Sequence, residues 1–89
     1  MKAIITVIGK DTIGIIAGIT GKLADRSVNI LDISQTILSG EFTMVMSVDL
    51  EKCTVPFAEL KDELAALGDT MGLSVRIQRR EIFEAMHNI

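Results

Sequence analysis

The sequence contains no tryptophan, no tyrosine and only three phenylalanines (Phe42, Phe57 and Phe83) in 89 residues. Proteins that hold single-stranded nucleic acid usually stack bases on exposed aromatics, so this scarcity argues against that class. Excess positive charge is lacking too. The net charge is −3 with an isoelectric point near 5.0, which leaves no electrostatic footprint for nucleic acid or a membrane surface. A single cysteine, Cys53, excludes an internal disulfide framework and fits a reducing compartment. The apolar run Ala3-Ile4-Ile5-Thr6-Val7-Ile8 is too short for a secretion signal and falls well below the ~20 residues that span a bilayer. A cytoplasmic, soluble protein is the expectation.

What is present is aliphatic. Hydrophobic residues make up 48% of the chain and charged residues 24%, close to the globular average, so a folded domain is expected rather than disorder. At this length the chain forms one domain.

Residues 2–8 are β-rich and apolar on both faces, as in a central strand. Gly9-Lys10-Asp11-Thr12 breaks that run. Beyond it Ile15, Ile16, Ile19 and Leu23 recur at helical intervals. Thr12, or alternatively Asp11, is placed to cap this helix. Gly14, Gly18 and Gly21 each weaken it by roughly 1 kcal/mol relative to alanine, so it should lie close against a neighbouring element. A second strand is expected over 28–38, with Ser39-Gly40-Glu41 as a hairpin turn. Phe42, Met44, Met46, Val48 and Leu50 then alternate with Thr43, Val45, Ser47 and Asp49, the cleanest strand pattern in the chain. Thr54 is expected to cap a second helix with Pro56 in its first turn. Its apolar stripe is Phe57, Leu60, Leu64, Leu67 and Met71, and Gly72 is its C-terminal cap. Leu73, Val75 and Ile77 mark a fourth strand. Residues 81–89 form a short tail helix with Ile82, Phe83 and Met86 on one side.

This β-α-β-β-α-β order is the ferredoxin-like arrangement of the α+β class. It predicts a four-stranded antiparallel sheet with both helices on one face, organised as a domain over 1–80 and a tail over 81–89. Ile4, Thr6 and Ile8 would then lie on an uncovered face. An exposed apolar patch there implies an interface, and a homodimer or higher oligomer is its simplest cover.

No nucleophile-base arrangement is visible, so no catalytic residue is assigned. His87 is the only histidine and reads as a solvated tail residue. With Cys53 it makes two metal ligands where a structural zinc site needs four, so neither metal nor cofactor is expected. Gly9-Lys10-Asp11-Thr12-Ile13-Gly14 matches neither common phosphate-loop pattern. It does sit between a strand and a helix start, where free amide hydrogens and the helix dipole suit a carboxylate or phosphate. Asp11 either caps the helix or accepts a hydrogen bond from an ammonium group. Asn29 either closes the turn after the helix or aims its amide at a ligand.

Asp11-Thr12-Ile13-Gly14-Ile15-Ile16, then Leu23, then Asn29-Ile30, resembles the signature of the ACT domain, a small amino-acid-sensing regulatory module. The resemblance extends over residues 1–80. The whole chain is similar to the small stand-alone ACT-domain proteins of bacteria and archaea, and to one half of the tandem-ACT regulator of glycine cleavage. Thr12 and Ile13 stand where the family has Arg and Pro. The resemblance implies a ligand between two subunits: Asp11 on its amine, the backbone of Thr12, Ile13 and Gly14 on its carboxylate, and Asn29 and Ile30 from the neighbouring subunit.

The reading is therefore a non-enzymatic regulatory module that binds a small ligand, an amino acid, at a homodimer interface. The alternative is an interaction module that binds no small molecule and holds an unidentified enzyme or regulator. An acylphosphatase-type enzyme shares the topology, but Asp11 stands where a phosphate cradle wants positive charge. An RNA-recognition module also shares it, but needs stacking aromatics where this chain has Met44 and Met46.

Overall fold

A computed structural model describes residues 1–10 and 13–87, with residues 86 and 87 as backbone only. Its elements are β1 (Lys2–Lys10), α1 (Ile15–Asp25), β2 (Asn29–Leu38), β3 (Glu41–Asp49), α2 (Phe57–Met71), β4 (Leu73–Arg79) and α3 (Arg80–His87). The strands form one sheet in the order β2-β3-β1-β4, with every neighbouring pair antiparallel. This is the ferredoxin-like fold expected from the element order.

Alternation along the central strands builds the core. Ala3, Ile5 and Val7 of β1, Phe42, Met44, Met46 and Val48 of β3, and Leu73, Val75 and Ile77 of β4 are all buried. Ile15, Ile19 and Leu23 of α1 and Leu60 and Leu64 of α2 join them in one cluster. Phe57, Leu67 and Met71 pack at its margin, so the expected stripe of α2 faces the sheet. At Gly68 an added Cβ would lie 2.7 Å from Val75 Cγ2 and 2.8 Å from the Leu73 carbonyl oxygen, which fixes how closely α2 can approach β4.

The two helices are joined by charge as well as by packing. Arg26, just past α1, donates from Nε and Nη2 to the two carboxylate oxygens of Glu63 on α2, at 2.7 and 2.8 Å. Those hydrogen bonds, with the attraction of Arg26 and Lys22, hold the Glu63 carboxyl below its ordinary pKa. The Thr54 amide donates to the Arg26 carbonyl at 3.0 Å, tying the entry of α2 to the exit of α1.

Four sequence expectations need correction. Strand β1 does not break at Gly9 but runs to Lys10, because Gly9 and Lys10 still pair with Phe42 and Glu41. Neither helix has a side-chain cap: the N-cap of α1 is Gly14 and that of α2 is Pro56, each two residues beyond the residue expected. Asp11 and Thr12 themselves lie outside the described residues. Of the α1 glycines, only Gly18 meets the opposite helix, at Met71, while Gly21 faces open space. Finally, the uncovered sheet face is less apolar than expected. Ile4 and Thr6 are half-buried and Ile8 is exposed, but their cross-strand partners are Ser47, Val45 and Thr43 on β3 and Gln78, Arg76 and Ser74 on β4. Hydroxyl and charged groups thus dilute that patch.

The hairpin between β2 and β3 closes through Ser39 and Gly40, both with positive φ (54° and 77°). Two such residues match the right-handed twist of the flanking strands. Gly72 caps α2 with φ 71°, as its position predicted. Among the described residues no helix is long and apolar enough to cross a membrane. The expected tail helix is α3; the expectations placed on the Met86 and His87 side chains fall outside what is described.

Candidate functional site

The start of α1 is set by backbone geometry. Gly14 adopts φ 88°, a left-handed conformation that costs a residue with Cβ roughly 1–2 kcal/mol. The turn lets the helix begin abruptly at Ile15. The amides of Ile15, Ile16 and Ala17 have no acceptor within the helix, and among the described residues no side chain caps them and no acidic residue stands in the first turn. The helix start thus presents free amides and the positive end of its dipole.

Beside this helix start runs a groove of about 320 Å³, lined by Gly14, Ile15, Ile16 and Ala17 of α1, Gln35 and Ile37 of β2, and Phe42 of β3. Sequence reasoning did not single out Ile16, Gln35, Ile37 or Phe42 as site residues. One signal was available. Ile33, Gln35 and Ile37 lie opposite Met46, Met44 and Phe42, so they share the helix side of the sheet, and Gln35 is the polar residue in that apolar row. Ile13, before Gly14, stands fully out in solvent.

Asn29 and Ile30 lie elsewhere. Asn29 opens β2 opposite Asp49 and is exposed, while Ile30 packs against the margin of the core. The register then shifts between Ile30 and Asp32, leaving Leu31 as a bulge. Asn29 borders a polar cleft of about 400 Å³ with Ser27, Asp49, Glu51 and Lys52. Within it Asp49 Oδ1 accepts from the Glu51 amide at 3.0 Å and lies 3.9 Å from the terminal amino group of Met1. From Asn29 to Ile37 is eight residues of strand, roughly 25 Å at about 3.3 Å each. A single chain therefore does not bring Asn29 to Gly14; they sit at opposite ends of β2.

Strand β2 is one of the two edges of the sheet and is exposed from Leu31 to Leu38. Leu31, Ile33, Ile37 and Leu38 are 42–72% accessible, and Ile16 of α1 adds 41%. Exposed edges are usually blunted by lysine or proline, yet the segment NILDISQTIL has neither and carries one charge, Asp32. Among the described residues no group of three or more His, Cys, Asp or Glu side chains could hold a metal ion.

The model of the ACT domain family matches residues 2–78 of this chain. A UPF0237 protein of Listeria monocytogenes is 51% identical over 89 residues, covering all of both chains. The solved structure of an ACT domain protein from Streptococcus pneumoniae is 48% identical, covers 94% of each chain and superposes with a TM-score of 0.83. A structure described as a glycine cleavage system transcriptional repressor is 23% identical, with 86% of this chain covering 44% of that one and a TM-score of 0.73; there the likeness is one of fold.

Proposed function

The chain belongs to the ACT domain family, and from that membership we propose that it is a non-enzymatic regulatory module binding a small ligand, an amino acid, between two copies of itself. One observation carries the reading: the uncapped start of α1 borders a groove that opens onto an unprotected edge strand. If β2 pairs antiparallel with β2 of a second copy, its two ends exchange places. Asn29 of the partner subunit then comes to the end of β2 that holds Gly14, Gln35 and Ile37. The separation of about 25 Å within one chain is thus what a site shared across a two-fold axis requires.

In this site the amides at Ile13 and Gly14 and the helix start would meet the ligand carboxylate. Asp11 would accept from its ammonium group, Thr12 would add a backbone amide, and Asn29 and Ile30 of the partner subunit would close the far side. Binding that joins two subunits gives the ligand a route to regulation, because it favours the paired state over the free one.

The exposed flank of β2 also favours a second reading, in which apolar burial alone holds the dimer and the module serves an enzyme or regulator without a small molecule. A thermal-shift screen of the twenty amino acids separates the two. A ligand at 100 times its Kd adds roughly 2.7 kcal/mol of stability, a rise of about ten degrees in Tm for so small a domain. A rise with one or a few amino acids supports the ligand reading; no rise with any of them leaves the interaction reading.

A further inference from the structure

We propose that the groove between α1 and β2 selects an amino acid with an uncharged, branched aliphatic side chain, an inference that rests on the amino-acid reading above. The walls of the groove are Ile16, Ile37 and Phe42, and among the described lining residues its one polar side chain is Gln35. Ile16 and Ile37 are 41% and 54% exposed, so half of their apolar surface is left over from the core and is available to a ligand. Among the described residues no Asp, Glu, Lys, Arg or His lines the groove, and in the proposed site Asp11 meets the ligand's α-ammonium group rather than its side chain. A charged ligand side chain entering there would give up water without gaining a counter-ion, which opposes binding. An aliphatic one would remove apolar surface from water on both sides of the contact.

Size points the same way. A volume of about 320 Å³ is at the small end for ligand sites, which run from about 300 to 1,000 Å³. It suits one amino acid and leaves little room for a nucleotide or a peptide. With the ligand carboxylate at the open amides of α1, its side chain occupies the space between Ile16 and Ile37.

Calorimetric titration of the intact chain with leucine, isoleucine, valine, alanine, aspartate and lysine tests this, alongside an Ile37→Ser variant. Ile37 is half exposed, so the substitution leaves the core intact. Leucine, isoleucine or valine should bind at least tenfold more tightly than alanine, since each methylene in an apolar pocket is worth roughly tenfold or more. Aspartate and lysine should show no binding at the same concentrations. Ile37→Ser should weaken the aliphatic ligands at least tenfold and leave alanine within a factor of about two. If aspartate, lysine or alanine matches leucine, or if Ile37→Ser leaves the aliphatic preference unchanged, this inference falls while the amino-acid reading stands. If none of these six binds, this inference falls, and if the melting screen of all twenty amino acids also shows no rise, the amino-acid reading falls with it.

Discussion

Strands β2 and β3 are hydrogen-bonded neighbours of nearly equal length, and both are rich in Ile, Leu, Met and Val, yet their fates are opposite. In β3 every second residue is buried; β2 is exposed from Leu31 onward. The cause is position. Strand β3 is flanked on both sides by other strands and covered by the helix layer, whereas β2 is an edge that, unlike the other edge strand β4, has no helix packed along it. An apolar residue in a strand is therefore a statement about what must lie against it, and in β2 a single chain leaves that demand unmet.

Substitutions on the two strands should break this comparison if it is wrong. Met46→Ala, in a fully buried position, should cost about 2–5 kcal/mol in chemical denaturation, the range for large-to-small core changes. Ile33→Lys, paired directly across from Met46 but exposed, should leave the stability of the dilute chain within about 0.5 kcal/mol. It should instead drive sedimentation toward the 9.7 kDa monomer, because a charge now stands on the edge. A large loss of monomer stability with Ile33→Lys, and no change in association, would mean that β2 belongs to the core of one chain.

The proposed site sharpens the contrast between structural and ligand-facing residues. Asp11→Asn removes the charge opposite the ammonium group, and a charge-assisted hydrogen bond is worth about 1.5–3 kcal/mol. Affinity by calorimetry should fall accordingly, with Tm nearly constant. Asn29→Ala should weaken the same binding from the partner subunit. Gly14→Ala should act the other way round, lowering stability by about 1–2 kcal/mol through its positive φ, a loss visible in melting without ligand. The smallest effect belongs to Glu63. Its pKa is lowered in the folded chain by Arg26, so the stabilisation is complete above the ordinary glutamate value of about 4.3. It is lost as the pH falls through the lowered value. Glu63→Gln should flatten the acid limb by slightly lowering the stability at neutral pH, where the pair is intact, and should change little below the lowered pKa, where the pair is already lost.

Most of the fold was legible because periodicity was unambiguous where burial is one-sided. Phe42 to Leu50 reads as a strand from alternation alone, and Leu60 and Leu64 are buried, with Phe57, Leu67 and Met71 at the margin of the core, as the stripe of α2 requires. The N-terminal caps were not legible, since Thr12, Asp11 and Thr54 are good capping types but the turn at Gly14 and the extended backbone at Pro56 start each helix later. The site was legible only in part. The helix start and Asn29 stood out by residue type, but the groove forms where the first turn of α1 comes beside the far end of β2, and sequence carries no direct trace of that approach. Gln35 announces itself only once its row-mates Ile33 and Ile37 are known to lie on the helix side.

The central place of β1 bears on how the polypeptide emerges during synthesis. Its partners are β3 and β4, which begin at Glu41 and Leu73, so one of its edges can be filled once β3 is made while the other waits for the last strand. Until then Ala3 to Ile8 emerge with that second edge unpaired, the kind of surface that aggregates or is held by chaperones. Strands β2 and β3 can pair first, through their short turn, and β1 can add to β3 before β4 exists. The sheet closes only once Arg79 has been made, and the delay between β3 and β4 sets how long the second edge of β1 stays open.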